Sequence, residues 1–387
     1  MNMRILLGAA ALAAMTLAGC GGSGGDSSES ALTGAGFSSA GRANTYTTGE
    51  QQTPAVARNA AGNMVVVWDS VGQDGSLSGI YGQRFAGGSA VGAEFQVNTY
   101  TRNKQNQPAV SMDAAGNFVV VWRSSGQNRS AGLDGGVIMG QRFAADGTRQ
   151  GAEFQIGDNM DYDSQADPAV AMNDSGQFVV AYSNRFLLSL AADLELNAYE
   201  TRYIQARAYN ADGSPVGDAT LVYTNVSVQR APVVGIDQSG NVTVAWLNDS
   251  AASAGNNVIN PRGIYMQRYS AQMLPSGLPT QVSDSAGASD RPTMAMNAAG
   301  QFIIAWERAV DQAELDGIYA RIYDASGTAT GAQFQVSSAA SGFFERASVG
   351  IDGSGNYAVV AQSQQGGGSS GVYLQRYAAD GSAVGTL

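Results

Sequence analysis

Short apolar runs separated by polar turns recur along the chain from residue 54 onward. The strongest run in each copy is β-branched and aromatic, as in Met64–Trp68 (MVVVW) and Phe118–Trp122 (FVVVW). Because the apolar residues are continuous and show no helical spacing, these runs predict strands that are buried on both faces. A second apolar run, such as Ile80–Phe85, follows each of them after a loop of variable length.

The runs belong to a repeat whose register is given by two columns. The first is proline in five copies and alanine in the last: Pro54, Pro108, Pro168, Pro232, Pro292 and Ala347. The second is a glycine eight positions later in every copy: Gly62, Gly116, Gly176, Gly240, Gly300 and Gly355. Successive copies are offset by 54, 60, 64, 60 and 55 residues. A period of this size indicates a solenoid, a propeller or another array.

Each copy contains signals for four short strands. The first strand ends at an Asn/Asp-x-x-Gly turn, in which the polar side chain bonds to its own backbone and the glycine accepts a positive φ angle. The two apolar runs are the second and third strands. The fourth strand is predicted over Glu94–Asn98, Glu153–Gly157, Thr220–Tyr223, Thr280–Ser283 and Gln333–Ser337, with none in the sixth copy.

A sheet of four antiparallel strands has two apolar faces that it cannot bury alone. Radial stacking of such sheets buries both faces, so the repeat predicts an all-β fold, a six-bladed β-propeller of four-stranded antiparallel blades. One column of the first strand holds only small residues, such as Ala57, Ser111 and Gly235. Small residues suit the innermost strands, where the blades converge. An open solenoid is the alternative.

The two ends of the chain predict how the ring closes. Segment 43–47 (ANTYT) matches segment 97–101 (VNTYT) at the end of the first copy. Since the sixth copy lacks a predicted fourth strand, we expect an N-terminal strand around Tyr46 to complete the last blade near Tyr377. Such a strand would remove the exposed edge of that blade.

Residues 1–19 are predicted to be a signal peptide. Arg4 precedes an apolar run that ends at Leu17 and is shorter than the ~20 residues needed to span a bilayer. The sequence Leu17-Ala18-Gly19-Cys20 resembles the lipobox of bacterial lipoproteins. This resemblance implies that Cys20 is lipidated and becomes the mature N-terminus, and Gly21 in place of aspartate implies sorting to the outer membrane. An ordinary signal peptide with an incidental cysteine is the alternative.

The rest of the chain divides into two parts. Residues 20–40 are predicted to be the lipidated cysteine and a flexible Gly/Ser tether, and residues 41–387 the six-bladed propeller. The formal net charge of −11 disfavours nucleic acid and anionic headgroups as partners. The domain is expected to be a monomer. Its expected partners are the membrane, which it contacts through the N-terminal lipid, and a protein or glycan ligand.

Several chemistries are excluded by residues that the chain lacks. It contains no histidine, which excludes Ser-His-Asp and Cys-His nucleophiles and histidine-bound zinc. No glycine-rich loop leads into a helix, so phosphate-cradling sites are absent. We therefore predict no cofactor, no metal and no identifiable catalytic residue, although a pair of carboxylates for glycoside cleavage stays open.

Candidate functional residues lie in the loops between the second and third strands and between copies. In a propeller these loops emerge on one rim, which we call the long-connection rim. It is expected to carry four aromatic residues (Tyr100, Tyr162, Phe343, Phe344) and four glutamines (Gln51, Gln105, Gln165, Gln229). The glutamines are interpreted either as a hydrogen-bonding ring for a ligand or as a solvated channel entrance.

Acidic residues in the same loops raise two further hypotheses. Calcium binding is considered at Asp158, Asp161, Asp163 and Asp167, and at Asp74, Asp134 and Asp316, but no stretch has the spacing of a calcium loop. Glu307, Glu345, Asp290 and Asp167 are expected near one rim as candidate acids for cleavage. Nothing in the sequence singles out a pair among them.

The third copy carries an insertion between Tyr182 and Ile204. Its apolar residues Phe186, Leu187, Leu190, Leu194 and Leu196 predict one face of a short helix or an extra hairpin. The insertion is either a cap or docking element on the rim, or an ornament packed on its own blade.

Two resemblances cover nearly everything after Gly41. The hairpin pattern Pro-x-Val-x-x-Asn/Asp-x-x-Gly resembles the first hairpin of NHL-type six-bladed propellers. The longer pattern VVVW…GIYGQRF…EFQVN resembles repeats of large secreted bacterial surface proteins. Both imply a propeller and neither implies an activity.

Three classes of function are left open. The first is a membrane-anchored binding or scaffold propeller of the bacterial envelope, the second a propeller hydrolase or lyase acting on polysaccharide, and the third a purely structural envelope component.

Overall fold

The structure, a computed structural model, describes ten stretches of the chain: residues 42–127, 135–157, 163–188, 199–222, 228–249, 262–284, 288–309, 315–336, 343–365 and 369–385. Within them the chain forms strands and turns and no helix. The strands make six antiparallel sheets of four, each built from strands consecutive in sequence. The predicted six-bladed β-propeller is confirmed.

The strands follow the chain blade by blade. The first three blades contain β1 Gln51–Arg58, β2 Met64–Val71, β3 Ser78–Ala86, β4 Ser89–Gln96; β5 Gln105–Met112, β6 Phe118–Ser125, β7 Gly136–Phe143, β8 Arg149–Gln155; and β9 Asp163–Met172, β10 Phe178–Leu188, β11 Tyr199–Tyr209, β12 Thr220–Leu221. The last three contain β13 Val228–Ile236, β14 Val242–Asp249, β15 Gly263–Tyr269, β16 Pro275–Gln281; β17 Ala288–Met296, β18 Phe302–Ala309, β19 Leu315–Tyr323, β20 Phe334–Gln335; and β21 Phe343–Ile351, β22 Tyr357–Gln365, β23 Ser369–Tyr377, β24 Ala383–Val384.

The apolar second strands are buried on both faces because each sheet packs between two neighbours. On β18, Ile304 and Trp306 face the fourth blade, whereas Ile303 and Ala305 face the sixth. Five clusters of this kind join consecutive blades. Among the described residues no cluster joins the sixth blade to the first. Val372 lies on the third strand of the sixth blade and is 54% exposed. Ile80, at the same position in the first blade, is fully buried against the second blade.

The small column of the first strands lies where the blades converge, as predicted. Consecutive first strands contact each other around the centre. A Cβ atom built on Gly235 would approach the Cβ atom of Met296 in the next blade to 3.0 Å. The inner strands therefore have no room for larger side chains at this position.

The predicted closure by an N-terminal strand is wrong. The sixth sheet takes its fourth strand from β24, where Ala383 pairs with Tyr377. Residues 42–50 form no strand, and the backbone N–H of Thr45 donates to the Glu94 carboxylate of the first blade at 2.6 Å. Thr99 donates to Glu153 of the second blade in the same way, at 2.7 Å. The repeated Asn-Thr-Tyr motif is thus the connection into the following blade, not a strand of the preceding one.

The fourth strands were also predicted with the wrong bounds. In the first blade β4 begins at Ser89, and its register against β3 shifts between Gly82 and Arg84. This bulge divides the strand into two halves, and the apolar pattern reveals only the second. In the described residues of the sixth blade, β24 corresponds to the first half, which is why this strand escaped prediction.

Candidate functional site on the long-connection rim

The rim is shaped by one backbone irregularity that all six blades share. The residue before the proline column has a positive φ angle in every copy: Thr53 (45°), Gln107 (56°), Asp167 (53°), Ala231 (51°), Arg291 (44°) and Arg346 (55°). The pairing of the first strand with the second shifts at these residues, which we call the bulge residues. Positive φ is uncommon outside glycine, and a bulge redirects the side chain. Sequence analysis missed this ring, although the recurrent proline marks it.

Polar groups at the ends of the second strands bind these bulges. Glu307 follows Trp306 on β18 and accepts a hydrogen bond from the backbone N–H of Arg346, a bulge residue of the next blade, at 2.6 Å. The side chain of Arg291 approaches the same carboxylate at 3.4 Å. Asp69 has the equivalent place after Trp68 and accepts a hydrogen bond from the hydroxyl of Thr53. Both carboxylates are buried, and this burial raises the pKa of each.

Three of the four candidate acids lie close together on the fifth and sixth blades. Arg291 Nη1 lies 3.4 Å from Glu307 and 3.9 Å from Glu345. The two carboxylates are therefore within about 8 Å of each other, the range in which glycosidases hold their carboxyl pairs. Asp290 is the cross-strand partner of Glu307 and lies 3.8 Å from Arg262 of the fourth blade. Asp167 is on the third blade, so it does not belong to this group.

The raised pKa of Glu307 leads to a prediction about stability. A carboxyl group whose folded pKa is raised contributes stability below its unfolded pKa and loses it as the pH rises. The free energy of unfolding of the wild type minus that of the Glu307→Gln variant should therefore be larger at about pH 4 than at about pH 7. Urea unfolding of both proteins at the two pH values measures this difference.

Asp380→Asn serves as the control with the opposite sign. The Ser382 hydroxyl and backbone N–H donate to Asp380 and lower its pKa. The free energy of unfolding of the wild type minus that of the Asp380→Asn variant should therefore increase as the pH rises. A Glu307→Gln difference that is independent of pH would contradict the burial argument.

The glutamines are not channel groups, and both interpretations made from the sequence are wrong for the three that are fully buried. Gln165 accepts the backbone N–H of Ile138 at 2.9 Å, and Gln229 accepts that of Ile204 at 3.2 Å. Gln105 accepts from Asn98 and donates to the carbonyl of Arg102. Gln51 is half-buried and donates to the carbonyl of Thr48. The three buried amides satisfy polar groups at the inter-blade connections, which would otherwise be buried without partners.

Of the four aromatic residues expected on the rim, Phe344 differs from expectation. Phe344 is 3% exposed and packs edge-on against Tyr373 at 5.3 Å, so it is a core residue. Tyr100 is half-buried, and its hydroxyl donates to the carbonyl of Gly126 at 3.3 Å. Tyr162 and the side chain of Phe343 lie outside the described residues.

The acids considered for calcium are only partly described. Asp74 accepts the backbone N–H of Ser76 at 3.0 Å, as a turn residue does. Asp158, Asp161 and Asp134 lie outside the described residues, as do the side chains of Asp163 and Asp316. In the part of the chain that the structure describes, no group of three or more potential metal ligands occurs.

The insertion of the third copy lengthens a hairpin. Strands β10 and β11 have 11 residues each and remain paired as far as Leu188 and Tyr199. Phe186 and Leu187 are therefore strand residues, which supports the hairpin and not the helix; Leu190, Leu194 and Leu196 lie outside the described residues. The corresponding strands of the two neighbouring blades have only 7 or 8 residues.

A polar cavity lies at the foot of the extended hairpin, between the second and third blades. We call it the arginine cavity. It has a volume of about 310 Å³, and its lining includes Gln107, Arg123, Ser164, Asp167, Arg185 and Arg202. A second polar cleft of about 630 Å³ lies between the first and second blades and is lined by residues such as Asp74, Tyr100 and Arg102. Both open on the long-connection rim.

Solved structures similar to this chain are propellers of diverse function. A protein of unknown function from Dyadobacter fermentans has a TM-score of 0.50 at 10% identity over 84% of this chain and 94% of its own. A polysaccharide lyase, an ulvan lyase, has a TM-score of 0.51 at 10% identity (85% and 79%). A mutant α-L-arabinofuranosidase from Fusarium graminearum has a TM-score of 0.50 at 9% identity (85% and 93%). These likenesses establish the fold alone.

In sequence, the chain matches no family model and no curated protein. The resemblances to lipoproteins and to NHL-type repeats therefore stay predictions. Cys20 lies outside the described residues. No described part of the chain forms an apolar helix of membrane-spanning length.

Proposed function

We propose that this protein is a glycan-binding propeller, held in the bacterial cell envelope by a lipid on Cys20. The observation that carries the binding function is the pair of open, polar clefts on the long-connection rim, of about 310 and 630 Å³. Loops and rim clefts on a rigid scaffold are where binding groups concentrate.

The lining of these clefts favours a sugar over an apolar ligand. Hydroxyl, amide, carboxylate and guanidinium groups predominate in both. Such surfaces offer little hydrophobic driving force, which scales with the apolar area removed from water. They offer many donors and acceptors for the hydroxyl groups of a saccharide.

A glycan array probed with the mature full-length protein in detergent tests this function. We expect binding to a limited set of glycans, and competition by the free glycan. Capture of an envelope protein without binding to any glycan would replace the glycan with a protein ligand. Binding to neither would favour the structural component.

The lipid anchor supports a separate prediction. Cys20 follows a lipobox-like sequence and is the only cysteine in the chain. Cys20→Ser should move the protein from the membrane fraction to the soluble envelope fraction and abolish labelling with a fatty acid. Fractionation and metabolic labelling of wild type and variant measure both effects. A variant that stays in the membrane fraction would contradict the anchor, and Ser23→Ala is the control.

A hydrolase or lyase acting on polysaccharide is the second candidate. It is favoured by the approach of Glu307 and Glu345 to the same guanidinium, at 3.4 and 3.9 Å. A buried carboxyl with a raised pKa, such as Glu307, is the form in which a general acid is kept protonated. The ulvan lyase and the arabinofuranosidase among the similar structures are carbohydrate-active enzymes of this fold.

Turnover decides between the two functions. Polysaccharides bound on the array are incubated with the protein, and new reducing ends or unsaturated products are measured. A steady rate that is lost in both Glu307→Gln and Glu345→Gln would establish the enzyme. Binding without product would leave the binding propeller.

A further inference from the structure

We propose that the outer edge of β23 at residues 372–374, which we call the open edge, binds an extended peptide segment of another protein as an added strand. The segment that fits has a small residue, a polar residue, valine and serine in succession. This inference does not depend on glycan binding, because the open edge belongs to the sixth blade and the two polar clefts lie among the first three.

In each of the first five blades the end of the fourth strand covers the start of the third. A valine or isoleucine there donates its backbone N–H to the carbonyl of the isoleucine that begins the apolar run of the third strand. The five bonds, of 2.7–2.9 Å, run from Val97 to Ile80, Ile156 to Ile138, Val222 to Ile204, Val282 to Ile264 and Val336 to Ile318. All five isoleucines of the third strands are fully buried.

The third strand of the sixth blade lacks this cover in the part of the chain that the structure describes. β24 pairs only with Arg376 and Tyr377, at the far end of β23. Val372 has the place of the isoleucine, and no described residue of a fourth strand pairs with it. The half of the strand that is covered in five blades is therefore uncovered in the sixth.

The backbone groups at the open edge point outward. Ile80 directs its N–H and its carbonyl away from β2, to Asn98 and Val97. Val372 pairs with β22 in the same register as Ile80 pairs with β2. Because the direction of these groups alternates along a strand, Val372 and Leu374 both present an N–H and a carbonyl to the outer edge.

The side chains at the open edge are apolar and exposed. Val372 and Leu374 are two positions apart on β23, so they share one face of the sheet. Leu374 is 41% exposed, and Val384, opposite Arg376 on β24, adds a third exposed apolar side chain to this face. The described residues of the other five third strands include no exposed large apolar side chain. An unpaired strand edge with apolar side chains is a template for an added strand.

The fourth blade shows what such a strand looks like, because its third strand has nearly the same sequence. Residues 371–377 (GVYLQRY) differ from β15 (GIYMQRY) only by valine for isoleucine and leucine for methionine. The two strands therefore offer nearly the same side chains to a partner at their outer edge. In the fourth blade that partner is present.

The covering segment of the fourth blade is Thr280-Gln281-Val282-Ser283. Thr280 pairs with Met266, and Val282 donates its backbone N–H to the carbonyl of Ile264 at 2.7 Å. The backbone N–H of Ile264 donates to the hydroxyl of Ser283 at 3.0 Å. In strand addition, main-chain bonds of this kind give affinity, and alternate side chains give specificity.

The size of Leu374 restricts the residue that lies opposite it. In the first blade this position is Gly82, and a Cβ atom built there would approach the ring of Phe95 on the fourth strand to 2.9 Å. An aromatic residue in the added strand would therefore clash with Leu374. A small residue fits, as Thr280 does opposite Met266.

The first experiment uses the covering segment of the fourth blade as the probe. A fluorescently labelled synthetic peptide, GLPTQVSD (residues 277–284), is titrated with the mature full-length protein, and its anisotropy is measured. We expect saturable binding with a Kd below about 1 mM. The same peptide with Val282→Asp or Thr280→Trp should bind at least about 10-fold more weakly, because the first places a charge on the apolar face and the second is too large for Leu374.

Methylation of single peptide nitrogens tests the backbone pairing. N-methylation of the valine removes the donor to the carbonyl of Val372 and should weaken binding about 10-fold. N-methylation of the preceding glutamine is the matched control. Its N–H points away from the covered strand, so the affinity should change little.

A variant of the protein localises the binding. Leu374→Asp should lower the affinity for the peptide at least about 10-fold. Leu221→Asp is the control, since Leu221 is equally exposed, at 42%, and lies on β12 in a blade whose third strand is covered. Thermal unfolding of both variants reports whether they are folded.

Several outcomes would overturn the inference. These are absence of peptide binding, equal affinity of the Val282→Asp peptide, and equal losses from the two methylations or the two protein variants. Complete oxidative cross-linking of the Cys20→Ser/Ala43→Cys/Val372→Cys variant would assign the open edge to the N-terminal segment of the chain itself. A dimer that is lost in Leu374→Asp would assign it to a second copy.

Discussion

Replacing Trp306 with alanine is expected to lower the free energy of unfolding by about 3–5 kcal/mol, the usual cost of removing a buried aromatic side chain. Trp306 is fully buried between the fourth and fifth blades, in one cluster with Leu247 and Tyr319. The surrounding residues relax only partially into the space that the indole leaves, so a cavity remains. Denaturant unfolding followed by circular dichroism measures the loss.

Leu278→Ala is the control for this prediction. Leu278 is 85% exposed on β16 and should change stability little. In a repeat protein the stability of one unit depends on its interfaces with its neighbours. A loss of less than about 1 kcal/mol at Trp306 would show that the blade interfaces do not carry this dependence.

The second large effect is expected at a turn that links two blades. Asn173 is 5% exposed, and its Nδ2 donates to the carbonyl of Asp237 in the next blade at 3.1 Å. Asn173→Asp replaces this donor with a carboxylate that faces a carbonyl oxygen. The carboxylate keeps the backbone N–H donors of Ser175 and Gln177, but its other oxygen is buried against the carbonyl of Asp237, which costs about 1–3 kcal/mol at neutral pH. Below the ordinary pKa of the new carboxyl group its protonated form donates again, so the loss should shrink in acid.

Unfolding of the wild type and the Asn173→Asp variant at about pH 7 and about pH 4 tests both parts of this prediction. Asp174→Asn, the inverse change at the exposed neighbour in the same turn, should have little effect. A loss at Asn173 that is equally large at both pH values would point to altered packing instead of charge.

This turn also shows how a repeat can conceal a second period. Asparagine and aspartate alternate at the start of the six turns, and both satisfy the same local rule. In the part of the chain that the structure describes, the asparagine side chains of these turns donate to the next blade: Asn59 to Ala114, Asn173 to Asp237 and Asn297 to Asp352. The alternation is visible in the sequence, but its role depends on the distance between blades.

The number of blades and the order of their strands could be predicted because their signals are local. The second strands begin where the apolar runs begin, at Met64 and Phe118. The fourth strands could not be predicted as well, since they lie at the outer edge of each blade. There one face is exposed, as the pattern of β4 shows, and the apolar signal is weak.

The candidate site was predicted only in part. Glu307, Glu345 and Asp290 were expected on one rim, and the structure brings them together around Arg291 and Arg262. The arginines of the cavity were not singled out, because Arg123 and Arg185 are far apart in sequence and lie in different blades. The buried glutamines were wrongly predicted to line the rim. A polar residue in a loop gives no sign that its amide hydrogen-bonds to buried groups between two blades.

The sequence by itself determined the architecture, because continuous apolar runs, turn residues and small inner positions act within one blade or on any neighbour of the same kind. Only the tertiary structure decided which polar side chains are buried and hydrogen-bond between neighbouring blades, and which line clefts. It also assigned the Asn-Thr-Tyr segment near the N-terminus to the first blade. These outcomes depend on contacts between residues roughly one repeat apart, whose energy comes from burial and paired charges that no local pattern records.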